Sequence, residues 1–272
     1  MTAHAERTGA SNMCIVKSVG GQGVNSADDV KTVQVLLNLA HATASPLSQD
    51  GVVGAETLTA LESFQTARQP PLAAGLVEPE PGNPSLAALR AALPPGFALG
   101  KLQGVMIHAT AELVSRFYPP LTAALEKYQI QTPLRMAHFF AQIGHESGEL
   151  RWTSEFASGD SYEGREDLGN TQPGDGRRFK GRGLIQITGR ANYVAFGKVV
   201  GSDFTSDASA ALLASDPQLA VEASCWFWKE HGLNELADHD NIEAVTRRVN
   251  GGLNGLAQRT ALLARSRFFF GC

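Results

Sequence analysis

The chain has 272 residues, 43% of them apolar and 18% charged, which is long for one domain, comfortable for two, and rich enough to bury a core. Its formal charge of −4 divides as −3 over residues 1–95 and −1 over 96–272, so there is no basic footprint for nucleic acid. No run of eighteen apolar residues occurs and MTAHAERTGA lacks a basic-then-apolar leader, so neither stable membrane insertion nor a signal peptide is expected, and synthesis is expected in the cytoplasm.

Residues 1–25 are polar and Gly-rich and read as a flexible lead-in. From Ser26 the pattern turns helical. Val30, Val33, Leu36, Leu37 and Ala40 recur on one face behind a Ser26/Asp29 cap, to an end near His41. Asp50-Gly51 is a turn, and Leu58, Leu61 and Phe64 mark a second helix through Ala67. A short helix at 85–93 follows a Pro-rich stretch at 70–84. Seven of the thirteen prolines fall between Pro70 and Pro95, which places an inter-domain joint at 94–102. Beyond it, Thr110 opens a helix expected to stop before Pro119-Pro120, and another runs from the prolines to Tyr128. Thr132 and Pro133 start the helix that carries Leu134, Ala137, Phe140, Ala141 and Gly144 on its apolar face and stops at Gly148. Only 183–188 looks strand-like. Asp216-Pro217 begins a helix ended by Gly232, Asp240 and Glu243 form a capping pair, and a last helix covers about Leu256 to Phe269. The fold class is mainly α.

Two carboxylates stand out. Glu146 falls in the last turn of the Pro133 helix, where the negative end of the dipole and a packed face both disfavour the charged form. Glu155, nine residues on, falls in a turn or extended segment and is better solvated. One group able to donate a proton and one able to accept it are what hydrolysis of a glycosidic bond needs, although acidic pairs at such a spacing are mostly surface groups. Glu149 is a rival for either role if the helix persists, and Gly148 argues that it does not. His145 is either a core histidine or a hydrogen-bonding neighbour of the acid. His145-Glu146 has no second histidine at zinc spacing, and Cys14, Cys225 and Cys272 have no ligand spacing, so no metal, no cofactor and no disulfide framework is expected. Arg177, Arg178, Lys180, Arg182 and Arg190 make one basic loop that could face an anionic polymer.

His145-Glu146-Ser147-Gly148, Glu155, the run Lys180-Gly-Arg-Gly-Leu-Ile-Gln186-Ile-Thr188-Gly-Arg-Ala-Asn192-Tyr193, and Arg248-Val-Asn250-Gly-Gly-Leu-Asn254-Gly resemble, in that order, glycoside hydrolase family 19. The branch most similar is that of bacteriophage endolysins and other peptidoglycan-cleaving enzymes. The plant chitinases of the family have a longer, cysteine-bearing loop after the second glutamate. The resemblance implies a lysozyme-like, mostly helical, two-lobed catalytic domain over 96–272 and an inverting mechanism, with Glu146 as acid, Glu155 as base and Thr188 helping to hold the water. It also implies that Gln186, Tyr193 and Asn250 line the sugar subsites. VQVLLN, DGVVGAETLTALESFQ and the helix after them, over residues 26–95, resemble a small three-helix peptidoglycan-binding domain, matched at Gln34, Asp50-Gly51 and Phe64-Gln65, with 70–84 as an insert. Together these imply a monomeric peptidoglycan hydrolase cutting between N-acetylmuramic acid and N-acetylglucosamine. It would act on the wall in the periplasm, as a phage endolysin reached through a holin or as an effector delivered by secretion machinery. A chitinase is the alternative.

Overall fold

The computed structural model describes residues 13–272, and within them thirteen α-helices and one two-stranded sheet. The chain forms two compact units, one running up to Ile107 and taking in Ala261–Cys272, the other spanning His108–Thr260.

In the first unit, β1 (Val19–Gly20) pairs antiparallel with β2 (Leu76–Val77), Val19 opposite Val77 and Gly20 opposite Leu76. Gly20 is obligatory, since an added Cβ would overlap the Gly75 carbonyl and φ is +142°. Residues 13–25 therefore depart from the expected lead-in, whose first twelve residues lie outside those described. The cause is Asp29, buried in α1 (Ala27–Leu39), whose carboxylate accepts the Val16 and Lys17 amides at 2.9 and 2.8 Å and the Ser26 hydroxyl at 2.6 Å. That carboxylate ties the preceding segment down instead of capping its own helix. Cys14, Ile15 and Val19 are buried with it.

Two glutamines organise the rest of this unit. Gln34 of α1 donates to Asp50 Oδ1 and the Val52 carbonyl and accepts the Gly51 amide, which shapes the turn before α2 (Ala55–Thr66). Gln65, fully buried, donates to the Leu76 carbonyl and Ser85 and accepts the Gly75 amide. The Pro-rich insert is thus pinned, and it supplies β2. α3 (Pro84–Ala91) is capped by Asn83, whose side chain accepts the Leu86 amide at 3.0 Å. Next comes α4 (Leu99–Val105), with Leu102 and Val105 fully buried. Leu36, Leu37, Leu61, Phe64 and Leu89 complete the core. The unit closes at Ile107, a few residues after the joint read from the prolines, because α4 packs on α1.

The second unit opens with α5 (Ala111–Lys127), capped by Thr110. This helix runs straight through Pro119 and Pro120, where the sequence rules require a break. Its apolar stripe explains the difference: Val114, Phe117, Pro120, Leu121, Ala124 and Leu125 are buried in one continuous row that packs against the helix at Pro217–Glu230. Tertiary burial outweighs the lost amide bonds. α6 (Pro133–Glu146) follows, capped by Thr132, with Met136, Ala137, Phe139, Phe140, Ala141 and Ile143 all buried, so it is enclosed on more faces than its amphipathic pattern suggested. After a long loop with single 3₁₀ turns at Asp160–Tyr162 and Glu166–Leu168 come α7 (Asp175–Arg178), α8 (Arg190–Val200), α9 (Asp207–Ser215) and α10 (Pro217–Glu230), the last capped by Asp216. Phe139 meets Trp228 of α10 edge to face at 5.3 Å. Then follow α11 (Leu233–Asp238), α12 (Ile242–Asn250) and the start of α13 (Leu256–Phe270), whose residues from Ala261 on belong to the first unit. Asn241, not the expected Asp240/Glu243 pair, caps α12, because Asp240 sits at φ +54° and turns its carboxylate to His138. Residues 183–188 form a tight hairpin turn and not a strand. Its only ladder is the Arg182–Ile187 bridge, and Gly183 at φ +97° turns the chain.

Candidate active site

Glu146 is the last residue of α6, as its sequence position suggests. The chain then reverses through three successive left-handed residues, Gly148, Glu149 and Leu150, at φ +57°, +58° and +70°. Two of these are not glycine, a costly conformation that must be held from outside. Glu149 does the holding. Nearly buried, its carboxylate accepts the His108 amide and pairs with the His108 ring, both at 2.7 Å. Ser147 adds a hydroxyl bond to the Ile143 carbonyl and accepts the Leu150 amide.

The Glu146 side chain is 18% exposed, and its Oε1 accepts a bond from Nη2 of Arg259, a fully buried residue in the first turn of α13. Arg259 also donates from Nη1 to Gln142 Oε1 at 2.5 Å and from Nε to the Asn254 carbonyl at 3.1 Å. A buried guanidinium survives only when its charge and its donors are met, and here the three acceptors surround it. His145 pairs through Nδ1 with Gln258 at 2.8 Å and lies directly over Gly255, where a Cβ would overlap the imidazole. It is half-buried, and its hydrogen bond goes to Gln258 and not to the adjacent Glu146.

Glu155 is anchored by the segment that begins the second motif. Its amide donates to the Gly181 carbonyl at 3.0 Å, its Oε1 accepts the Gly181 amide at 2.6 Å, and its Oε2 accepts the Tyr162 hydroxyl at 3.0 Å. Lys180 reaches back to the carbonyls of Glu155 and Ala157. Gly181 is closely packed: a Cβ there would lie 3.2 Å from Gln186 Oε1 and 3.4 Å from the Glu155 carboxyl carbon. Gln186 and Glu155 are thereby brought to one spot. Thr188, half-buried, donates to the Gln186 carbonyl at 3.2 Å in the same turn. Glu155 and Gln186 thus face the same glycine, and Thr188 lies two residues further along the same turn.

A profile for the family described as chitinase class I matches residues 123–247. A glycosyl hydrolase family 19 domain-containing protein of Haemophilus influenzae is 33% identical over 180 residues, covering 55% of this chain and 86% of that protein. The chain belongs to glycoside hydrolase family 19. An endochitinase of Arabidopsis thaliana is 36% identical over 117 residues, 43% of this chain but only 39% of that protein. Chitinase C from Streptomyces griseus shares the fold at a TM-score of 0.52 and 22% identity, over 64% of this chain and 92% of the other. The protein is a chitinase-like glycoside hydrolase with the mainly helical fold that goes with the family.

Within this family 19 domain, Tyr193 stands elsewhere than expected. It is fully buried in α8, edge to face with Phe179 at 5.1 Å, its hydroxyl donating to the Lys180 carbonyl at 2.6 Å and accepting from Arg182 at 2.9 Å. Burial pushes its phenol up to about 12. Tyr193 therefore supports the Lys180–Arg182 segment from behind and presents no ring to a sugar. Asn250 ends α12, exposed, and the glycine-rich run after it supplies the Asn254 carbonyl to Arg259 and Gly255 to His145. The basic loop is internally matched: Arg177 pairs with Asp160, Arg178 with Asp207 and Arg190 with the buried Asp175.

Three features escaped the sequence reading. Arg259 carried little signal, being one of three arginines in the last helix. Tyr162 carried none. Trp152 and Phe156, 42% and 80% exposed, stand edge to face at 4.8 Å on the segment that joins the two glutamates. Among the described residues no group of His, Cys, Asp or Glu is arranged to hold a metal.

Proposed function

We propose that the protein hydrolyses the β-1,4 bond between N-acetylmuramic acid and N-acetylglucosamine of peptidoglycan, with inversion. Glu146 gives its proton to the glycosidic oxygen as the bond to the anomeric carbon breaks. Glu155 takes a proton from the water that attacks that carbon from the opposite face, and solvent restores both groups. The observation that carries the assignment is the double anchorage of Glu155 beside Gln186, which leaves a fixed carboxylate next to an amide able to hold a water or a sugar hydroxyl. The exposed rings of Trp152 and Phe156 offer flat apolar faces of the kind on which pyranoses stack.

Peptidoglycan is favoured over chitin by the first unit. Its Gln34, Asp50-Gly51 and Phe64-Gln65 are built into one helical core, the pattern that resembles a peptidoglycan-binding domain. The chitinase alternative is favoured by the plant relatives, which are endochitinases. Digestion of purified sacculi and of colloidal chitin by the wild type and Glu146→Gln, with borohydride reduction and mass analysis of the fragments, separates the two. Reduced muramic-acid ends from sacculi, absent with the variant, are expected. Fragments from chitin alone would transfer the protein to the chitinases, and a fully active Glu146→Gln would remove Glu146 from the acid role.

A further inference from the structure

We infer that Tyr162 is a positioning residue for the base, fixing the Glu155 carboxylate through its hydroxyl; this rests on Glu155 acting as the base. The two carboxylate oxygens are held by donors of different kinds: Oε1 by the Gly181 backbone amide and Oε2 by the Tyr162 hydroxyl. With only the amide bond, the carboxylate could swing about that one contact. The phenol removes this freedom and decides which lone pair faces an attacking water, and displacements of about 1 Å at such a group cost on the order of a hundredfold in rate.

The tyrosine is itself locked in place. Its amide donates to the Gly159 carbonyl at 2.9 Å, and its carbonyl accepts Nδ2 of Asn170 at 2.9 Å. Asn170 is fully buried, and its Oδ1 accepts the Arg190 amide at the start of α8. The next residue, Glu163, accepts the amides of Gly174 and Gly176 at 2.7 and 2.8 Å. Gly159 and Gly176 lie so close that a Cβ on either would strike the other's backbone. The loop from 159 to 176 is therefore sewn to itself and to α8, and every stitch bears on where the phenol stands. Burial, then the bond to Glu155, raise the Tyr162 phenol above its ordinary value, so the group remains a protonated donor across the neutral range. Nothing in this requires the hydroxyl to touch the sugar.

Kinetics of the wild type, Tyr162→Phe, Glu155→Gln and the double variant, on whichever of sacculi or chito-oligosaccharide the wild type cleaves, test this. The expected result for Tyr162→Phe is a kcat lower by about tenfold or more with KM within about twofold, since an interaction acting only through the base leaves ground-state binding alone. The double variant should be no slower than Glu155→Gln, because the hydroxyl has nothing left to position. An unchanged kcat in Tyr162→Phe would overturn the inference. So would a raised KM at full kcat, which would make the hydroxyl a sugar contact, or a double variant slowed by both factors multiplied, or a melting temperature far below wild type, which would make the role structural. If Glu155→Gln alone kept full kcat, the base assignment would fall, and that outcome is distinct from a harmless Tyr162→Phe beside a dead Glu155→Gln.

Discussion

Replacement of Arg259 by methionine tests how Glu146, the proposed acid, is held. The side chain is fully buried and meets three acceptors, Glu146 Oε1, Gln142 Oε1 and the Asn254 carbonyl. Methionine keeps most of the volume and removes every donor. Stranding one partner of a buried ion pair costs about 3–5 kcal/mol, and the lower end applies because Glu146 is partly exposed and can turn to water. Gln142 has no such escape, being fully buried, and an unmet buried acceptor costs about 1–3 kcal/mol. The two terms share one arginine, so their combined cost is about 4 kcal/mol, which for a domain of this size lowers the melting temperature by about 8–16 °C. Circular dichroism melting at neutral pH reads this directly, and kcat measured below both transitions should fall at least tenfold as the carboxylate loses its orientation. Adding Glu146→Gln to the methionine variant removes the stranded charge and should restore about 1–2 kcal/mol of stability while leaving the enzyme inactive. A shift of under about 2 °C in the single variant, with kcat intact, would refute the claim that Arg259 fixes Glu146.

Tyr193→Phe should lower stability by about 1–3 kcal/mol, since the Lys180 carbonyl and Arg182 both lose the hydroxyl, and should leave KM for an oligosaccharide unchanged. A raised KM at unaltered melting temperature would return the tyrosine to the sugar site. Asp175 is buried, and its bond to Arg190 holds its carboxyl below the usual aspartate value. Stability from that depression is fully present above the unfolded value of about 4 and is lost as pH falls through the lower folded one. Asp175→Asn should therefore melt earlier at neutral pH, by roughly 3 kcal/mol of stability, with the deficit shrinking below pH 4. A deficit of the same size at pH 3 and pH 7 would show that the ion pair is not its source.

What could be read from local pattern was read well. Thr132-Pro133 and Asp216-Pro217 start their helices, Gly232 lies just past the end of one, and the last helix falls within a residue of its expected span, because caps and breakers act on their immediate neighbours. The failures share a cause. Pro119 and Pro120 should have broken α5, but a buried stripe shared with a partner helix over ninety residues away in sequence keeps it whole. Asp29 looked like a helix cap and instead ties down a segment a dozen residues upstream. In each case a local rule met a distant contact, and the contact decided.

The same division runs through the site. The backbone positions of Glu146 and Glu155 were legible because their own segments announce them, one at a helix end and one past a turn. The groups that hold them were not: Arg259 is 113 residues from Glu146, Gly181 is 26 from Glu155, and Tyr162, only seven away, comes from a turn with no periodic signature. The Lys180–Tyr193 motif shows how easily residue type misleads. An aromatic ring and several cations there suggest a surface for sugars and anions, yet Lys180, Gly181, Arg182 and Tyr193 all bond the backbone, the carboxylate or one another within this part of the fold, while the half-open Gln186 lies beside Glu155. A conformation in which a short loop must hold a carboxylate to within a fraction of an ångström needs more residues for support than for contact. A motif spanning such a loop is therefore mostly scaffold, and the substrate-facing positions in it have to be found by exposure and geometry, not by chemical type.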